Sequence, residues 1–596
     1  MANNIPARNE IDPALTWDLT AIFSTDSDFE QAFAAAEQEL QGLAALAGTL
    51  SSPAALLHAL EQDSRISLMI EKLYVYARMK RDEDNSVSLY QGMADRAMQL
   101  SVRYNAAAAF LAPEILAIPE DVFNDWLNDN TLSPYRRVLA NLARGRAHTL
   151  SSEEETLLAL AGEPLTAADT IFSMLNNADL RFGEVADANG ARVELTQENY
   201  RSFLESPVQS VRKGAYEALY AAYTALKNTL SASYGASVKT DVFYARARKY
   251  PSALESALYD SNVPVRVYDS LIDAVESRLP TLGKYLELRR RALHVEQLHM
   301  YDLYTPIVAD IPVYMHYEDA KALVKRALLP LGDDYARMLE HAYNDGWIDV
   351  CENRGKTTGA YSWGAYGTHP YVLLNYQPQR NYAFTLAHEL GHAMHTHYSD
   401  TAQPYQDAQY RIMAAEVAST VNEVLLLKCM LNEEKDPRQR AYLLNYYLEQ
   451  FRTTVFRQTM FAAFERRTHE MAEAGEPLTM EALCAEYGKL NERYYPGVVV
   501  DDAIRMEWAR IPHFYNAFYV YQYATGFCAA VKLASDILEG GEALARYLAF
   551  LKSGCTDFPI ALLQHAGVDL ENPASITSAL DEFDTAFNEL TALLAL

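Results

Sequence analysis

Apolar residues recur at helical spacing along most of this chain of 596 residues. The spacing predicts helices over 28–46, 68–77, 89–111, 208–250, 264–293 and 317–332. Ser51-Ser52-Pro53 predicts a helix start, because serine caps a helix and proline fits its first turn. The Ala-rich patches favour helix, and no repeat of fixed period interrupts them. The fold class is therefore predicted to be mainly α.

One interruption of the helical pattern lies at 179–195, where apolar and polar positions alternate around Asn189-Gly190. Alternation around Asn-Gly predicts a β-hairpin. We place a domain boundary after it, because a chain of this length exceeds one ordinary compact unit. Residues 1–195 are predicted to form an N-terminal helical region that ends in the hairpin, and residues 196–596 a second domain.

The stretch 385–395 carries His-Glu-x-x-His inside an apolar helical pattern. Residues four apart lie on the same helix face, so His388 and His392 can bind one metal ion. Glu389 lies beside them, where zinc peptidases have their general base. Two imidazoles and a carboxylate on a buried helix need polar partners, which one zinc ion supplies together. A five-residue match also arises by chance, so the prediction depends on a third ligand.

A catalytic zinc ion usually has three protein ligands and one open position. His395 continues the same helix face, but three ligands from one straight helix fit a tetrahedral site poorly. The pattern over 413–425 predicts a second buried helix, on which Glu416 and Glu423 share a face. Buried glutamates seldom lack a partner. We predict that Glu416 is the third ligand and that Glu423 supports a ligand histidine.

The segment before the motif is a Gly- and Tyr-rich loop, 354–370, followed by an apolar stretch of β character, 371–376. A strand beside a metal centre can pair with the main chain of an extended peptide. A glycine-rich loop can also change conformation over a bound peptide. We therefore predict substrate contacts at Gly359, Tyr361, Tyr371 and Leu373. The alternative is an ordinary surface loop and a buried strand.

Composition limits the range of functions. The net charge of −28 argues against nucleic acid as a partner, because phosphate-backbone binding needs a concentrated basic surface. The five scattered cysteines indicate reduced thiols rather than a disulfide framework. We find no signal peptide and no apolar run of the roughly 18 residues that a membrane span requires. A cytoplasmic protein without a membrane partner is expected, and its oligomeric state is left open.

These motifs resemble those of one family. The segments 386–395 and 415–420, Gly359-Ala-Tyr-Ser and the early Trp17-Asp-Leu-Thr look like the oligoendopeptidase F family, which belongs to the thimet-oligopeptidase-like zinc metallopeptidases. The resemblance runs over nearly the whole chain. It implies a large, multi-helical, two-lobed body with a small β element beside the active-site helix. A deep substrate channel for short unfolded peptides is also implied.

The same resemblance implies roles for individual residues. It makes His388, His392 and Glu416 the ligands of one Zn²⁺ ion, and Glu389 the catalytic base. It also implies that 511–526 supplies hydrogen-bond donors to the oxyanion of the reaction. Within that segment we favour His513 and Tyr523, with Tyr519 next. The choice among the tyrosines stays open, because aromatic residues at helical spacing are often core residues.

The predicted function is that of a zinc-dependent endopeptidase that hydrolyses internal bonds of short oligopeptides, using a zinc-activated water and Glu389 as base. A carboxypeptidase or dipeptidyl-carboxypeptidase with the same zinc site is the alternative. It would need a group that binds the terminal carboxylate of the substrate, and the sequence assigns no arginine to that role. A non-catalytic helical protein with a structural metal would normally have four protein ligands, whereas three candidates and a base are found.

Overall fold

The computed structural model describes residues 5–308 and 313–595. The chain divides into two compact units, and each unit is assembled from three separate stretches of sequence. Unit 1 comprises Met1–Ala147, Pro312–Cys429 and Leu533–Gly567, and unit 2 comprises His148–Ile311, Met430–Lys532 and Val568–Leu596. The predicted domain boundary near residue 195 stays a prediction.

Helices dominate both units, which confirms the prediction of a mainly α fold. In the first half of the chain they are α1 (Asp26–Ala44), α2 (Pro53–Glu83), α3 (Ser88–Ala108), α4 (Leu111–Ala117), α5 (Glu120–Leu127), α6 (Arg136–Arg144), α7 (Ser152–Leu165), α8 (Ala167–Met174), α9 (Gln197–Leu204), α10 (Gln209–Ala225), α11 (Lys227–Ala247), α12 (Ala253–Tyr259), α13 (Val265–Ser277) and α14 (Leu279–Ala292). In the second half they are α15 (Tyr317–Ala327), α16 (Gly332–Asn344), α17 (Arg380–Ala402), α18 (Tyr405–Ala408), α19 (Ile412–Glu433), α20 (Pro437–Gln450), α21 (Arg457–Glu473), α22 (Met480–Tyr494), α23 (Asp502–Arg505), α24 (Tyr521–Glu539), α25 (Ala543–Leu551), α26 (Pro559–Ala566) and α27 (Pro573–Leu594).

The strands are short, namely β1 (Glu184–Ala186), β2 (Arg192–Glu194), β3 (Leu298–His299), β4 (Ile348–Asp349), β5 (Tyr361–Trp363), β6 (Tyr371–Leu373) and β7 (Val498–Val499). The antiparallel pair β1–β2 confirms the predicted hairpin. Gly190 in its turn has a φ of 82°, a conformation that glycine adopts without a steric penalty. In unit 1, β6 lies between β4, which is parallel to it, and β5, which is antiparallel.

The structure divides two of the predicted helices. The predicted helix 208–250 breaks at Leu226, whose φ and ψ are −109° and 14°. The predicted helix 264–293 breaks at Arg278, just before Pro280 enters the first turn of α14. Both segments bury apolar side chains on either side of the break, so the periodicity continues through a single non-helical residue. The helix start at Pro53 is confirmed, and the Ser52 side chain accepts a hydrogen bond from the Ala55 N–H.

The three-stranded sheet of unit 1 lies against the helix that carries the histidine motif. Both β5 and β6 contact α17. Tyr371 and Leu373 of β6 are buried in a hydrophobic core with Trp17 and Leu73. The ring of Trp17 meets that of Tyr371 edge to face, with centroids 6.2 Å apart. This core fixes the sheet, and the sheet in turn brings β5 to one side of α17.

Candidate metal centre and active site

Two helices of unit 1 cross with their backbones nearly in contact. A Cβ atom added at Gly391 of α17 would lie 2.5 Å from Ser419 Cα of α19, so only glycine permits this approach. One turn before Gly391 on α17, the Ala387 carbonyl accepts a hydrogen bond of 3.0 Å from Asn422 Nδ2 of α19. The Tyr335 hydroxyl donates to Asn422 Oδ1 and holds that amide in place. These contacts therefore fix both the distance between the two helices and their alignment along each other.

The crossing brings His388, His392 and Glu416 together. One ligand atom from each residue lies within 4.8 Å of the others. The two Nε2 atoms are 3.1 Å apart, and His388 Nε2 is 3.9 Å from Glu416 Oε2. Around a tetrahedral zinc ion with bonds near 2.05 Å, two ligand atoms lie about 3.3 Å apart. Two imidazoles and a carboxylate at this spacing could hold a metal ion.

Glu423 contacts the other nitrogen of His388, with Oε1 2.6 Å from Nδ1. This contact favours a proton on Nδ1, so that a metal ion would bind at Nε2, on the side of His392 and Glu416, and would displace any proton there. Burial lowers the pKa of His388, but the hydrogen bond and charge of Glu423 outweigh it and raise that pKa to about 9. Burial and the charge of His388 lower the pKa of His392 to about 3. His392 is thus neutral, which is the form that binds a metal.

Glu389 lies on the same helix and points toward β5. It is 7% exposed, and the Ser362 N–H of β5 donates a hydrogen bond to its carboxylate. Burial raises the pKa of Glu389 to about 7, against the opposing charge of His388. A carboxylate with a pKa near neutrality can both accept and return a proton, which is the property of a general base.

The rival ligand His395 does not join this group. Its ring stacks on the Tyr410 ring with centroids 3.7 Å apart, and it is 1% exposed. Burial lowers its pKa to about 3, so it is a neutral core histidine. Among the residues that the structure describes, the group with metal-binding geometry consists of His388, His392 and Glu416.

The structure corrects part of the predicted substrate contact. Tyr371 and Leu373 are fully buried, and the main chain of β6 is paired with β4 and β5 on its two edges. Neither their side chains nor their strand is available to a peptide. Gly359 is exposed, with a φ of 84° and open space around it. The Tyr361 hydroxyl donates to Asp82 Oδ2 at 3.0 Å, which ties the loop to α2.

His513, Tyr519 and Tyr523 lie in unit 2, where their rings form one cluster. The His513 centroid is 6.3 Å from that of Tyr519 and 5.9 Å from that of Tyr523. The two tyrosine centroids are 5.4 Å apart. Burial lowers the pKa of His513, so its imidazole is neutral and can donate one N–H. The structure thus brings these three predicted residues together, while their donor role stays a prediction.

The turn between His513 and α24 is held by a buried glutamate. Phe518 has a φ of 57°, which is strained for a residue with a Cβ atom. Its N–H donates to Oε1 of Glu465, a fully buried residue of α21. The Phe518 ring packs against His469 at a centroid distance of 4.5 Å. These contacts fix the backbone between the two ends of the ring cluster.

Comparisons with known proteins identify the family. The sequence profile of Peptidase family M3 matches residues 202–582, and that of Oligopeptidase F matches residues 114–182. Oligopeptidase PepF of Bacillus subtilis is 44% identical over 100% of this chain and 89% of its own length. An oligoendopeptidase F homologue of Lactococcus lactis subsp. lactis is 41% identical over 100% of this chain and 99% of its own.

Solved structures support the same family assignment. The crystal structure of oligoendopeptidase F from Enterococcus faecium is 38% identical, with a TM-score of 0.74 over 96% of this chain and 99% of that one. The crystal structure of a peptidase from Chlamydophila abortus is 34% identical, with a TM-score of 0.93 over 99% of this chain and 100% of that one. The chain belongs to the oligoendopeptidase F group of peptidase family M3. It is a metalloendopeptidase.

Three residues of this oligoendopeptidase F chain went unrecognised in the sequence. Asn422 was visible as a lone amide in an apolar helix, but nothing showed that it binds α17. Ser362 acts through its backbone N–H, which leaves no mark on side-chain identity. Glu465 lies among several charged residues of α21, so its burial had no signal in the sequence.

No helix in the described part of this oligoendopeptidase F chain is long and apolar enough to cross a membrane.

Proposed function

We propose that the protein is a zinc-dependent endopeptidase that hydrolyses internal bonds of short, unfolded oligopeptides. The observation that carries the proposal is the convergence of His388, His392 and Glu416 beside the buried carboxylate of Glu389. Its membership of family M3 and its full-length similarity to oligoendopeptidases support the choice of substrate class.

The two helices of unit 1 provide the groups that act on the peptide bond. His388, His392 and Glu416 would hold one Zn²⁺, which as a Lewis acid lowers the pKa of water to near neutrality. Glu389 takes the proton of the attacking water on its carboxylate and delivers it to the leaving amine nitrogen. Glu423 keeps His388 in the tautomer that leaves Nε2 free.

We place the substrate main chain on β5 rather than on β6. In an antiparallel strand the N–H and C=O of one residue point to the same side. Ser362 donates to Glu389, so its polar groups point away from β6 and toward the catalytic base. Because the Ser362 N–H is bound to Glu389, the Ser362 carbonyl is the group on this edge that would accept a hydrogen bond from a peptide beside Glu389, with Gly359 and Tyr361 at the start of the strand.

His513 and Tyr523, with Tyr519 next, are proposed to donate hydrogen bonds to the oxyanion of the tetrahedral intermediate. Such donors stabilise charge that is present only in the transition state and the intermediate. His513 can donate through a ring N–H, and a tyrosine donates through its phenolic O–H.

A peptide blocked at both termini tests the proposal. We expect internal cleavage, visible by mass spectrometry of the products, loss of activity after zinc is removed with a chelator, and its return with one equivalent of zinc. Cleavage only of peptides with a free C-terminus would instead support the carboxypeptidase. Full activity without a metal ion would refute the zinc mechanism.

A further inference from the structure

Unit 2 contains a group of arginines that are not among the residues assigned to the peptidase reaction. The side chains of Arg452, Arg457 and Arg510 line a cavity of about 20 Å³, together with Tyr304 and Tyr495. A volume of about 10–15 Å³ already holds one water molecule, so this cavity accommodates one particle of that size. Phosphate, sulfate and carboxylate groups are too large for it.

The charges around the cavity do not balance. Among the described residues, the carboxylates that bind these guanidinium groups are Glu449 and Glu507. Four guanidinium groups share these two carboxylates, an excess of two positive charges, and they belong to Arg289, Arg452, Arg457 and Arg510. Uncompensated charge in a protein interior is strongly unfavourable, so the cluster favours a further anion.

Two buried hydrogen-bond donors at the cavity lack a protein partner. Arg452 is 0% exposed, and its Nη1 has no hydrogen-bond partner in the described part of the chain. Tyr495 is 2% exposed, and the same is true of its hydroxyl. The other nitrogens of Arg452 donate to Glu449 and to the Leu303 carbonyl, which fixes the direction of Nη1. One charged and one neutral donor thus remain for a ligand.

The electrostatic field at the cavity is positive. Burial would raise the pKa of Tyr304, yet Arg457 and Arg452 outweigh it and hold that pKa below its usual value. Burial would also raise the pKa of Glu449 and Glu507, but the neighbouring arginines outweigh it and lower the pKa of each carboxyl to about 2. Both carboxylates are therefore ionised, and the excess of positive charge persists at neutral pH.

The local backbone is unusual at this position. Arg452 lies in a π-helical turn, Phe451–Phe456, between α20 and α21. Such turns are frequently found at functional sites. The side chains of Arg457 and Arg510 are 15% and 23% exposed, which gives a small ion a route from solvent.

We propose that this cavity binds one monatomic anion of the chloride class, which accepts hydrogen bonds from Arg452 Nη1 and the Tyr495 hydroxyl. A single water is the neutral competitor, because Asn491 Oδ1 at the same cavity is a buried acceptor without a protein donor among the described residues. A water would satisfy these groups but would leave the charge excess in place. The anion removes part of that excess.

Thermal unfolding of the full-length protein tests the site without reference to peptidase activity. Gluconate is replaced by chloride or bromide at constant ionic strength, so that general screening does not change. We expect a saturable rise in the unfolding midpoint with either halide, because an anion that binds only the folded state stabilises it. Equal midpoints in gluconate and chloride would overturn the proposal in favour of water.

Tyr495→Phe is the variant for this test, because the hydroxyl that it removes has no protein partner to lose. We expect the half-saturating chloride concentration to rise about tenfold, as for loss of one hydrogen bond to a charged group. Tyr447→Phe is the matched control, since it removes another buried hydroxyl that lacks a partner. An unchanged chloride response in Tyr495→Phe, or an equal change in both variants, would contradict the assignment.

Crystals grown in sodium bromide locate the ion directly by its anomalous scattering. The expected result is one peak beside Arg452 Nη1 and the Tyr495 hydroxyl, which is lost or weakened in Arg452→Gln. A bromide peak elsewhere, with none in the cavity, would refute the site even if halides raised the unfolding midpoint.

Discussion

The α17–α19 crossing of unit 1 and the Phe518 turn of unit 2 position their polar groups by different means. At the crossing, regular helices approach without a side chain between them at Gly391, and Asn422 and Glu423 join them through hydrogen bonds. At the turn, a non-glycine residue takes a left-handed conformation, and one buried carboxyl oxygen of Glu465 holds its N–H.

The difference is one of redundancy. The crossing has several independent contacts, so removal of one hydrogen bond should leave its geometry largely intact, whereas steric intrusion at the glycine should not. The turn depends on a single acceptor, and the second oxygen of Glu465 has no hydrogen-bond partner in the described part of the chain. We therefore expect the crossing to be sensitive to volume and the turn to be sensitive to charge and pH.

The largest effect is expected for Glu389→Gln. The amide keeps the size of the side chain but cannot accept a proton, so kcat should fall about 100- to 10,000-fold. Zinc content, measured by elemental analysis, should stay at one ion per chain because Glu389 is not among the proposed ligands. Activity within tenfold of the unchanged protein would show that the base lies elsewhere.

Glu416→Gln and Glu423→Gln distinguish a proposed metal ligand from the residue that orients a ligand histidine. Glu416→Gln should remove a charged ligand and lower zinc occupancy in the purified protein. Glu423→Gln changes only the group that orients His388, so zinc affinity should fall about 10- to 100-fold. Competition with a chelator of known affinity measures both. Equal losses in the two variants would mean that Glu423 also binds the ion.

Periodicity and one motif were enough to predict most of the crossing. Helical spacing and His-Glu-x-x-His placed His388 and His392 on one face, and a seven-residue interval paired Glu416 with Glu423. The glycine contact at Gly391 depends on where a distant segment packs, which local spacing does not encode. The buried strand β6 was mistaken for a substrate edge because an apolar stretch of β residues looks the same with one free edge or none. The conformation of Phe518 left no signal, since nothing in residue type marks it.

Gly391→Ala probes the steric side of the comparison. The new Cβ would meet the backbone of Ser419, so the helices must separate, at a cost of about 1–3 kcal/mol. We expect a lower unfolding midpoint together with weaker zinc binding. Gly92→Ala is the matched control, because Gly92 lies within α3 with no atom near its missing Cβ. Alanine there should leave the midpoint unchanged or raise it slightly. Similar unfolding midpoints and zinc affinities for the two variants would show that the close approach at Gly391 does not determine the geometry of the crossing.

The smallest and most specific effect concerns Glu465. Burial raises the pKa of its carboxyl well above 4.5, so the folded protein binds that proton more tightly than the unfolded chain. Such a group contributes stability at low pH that is lost as pH rises from about 4.5 toward the folded pKa. Glu465→Gln mimics the neutral acid and keeps an oxygen for the Phe518 N–H.

The unfolding midpoint of Glu465→Gln should therefore match the unchanged protein near pH 4 and exceed it progressively toward pH 8. Glu470→Gln, on the same helix, removes only an exposed ion pair with Arg466, so it should change the midpoint slightly and without the rise toward pH 8. Glu465→Leu removes the acceptor as well as the charge, so the unpaired Phe518 N–H should lower the midpoint at all pH values, by the equivalent of about 1–3 kcal/mol. Parallel pH profiles for Glu465→Gln and the unchanged protein would show that the turn is held by packing of the Phe518 ring rather than by a neutral carboxyl.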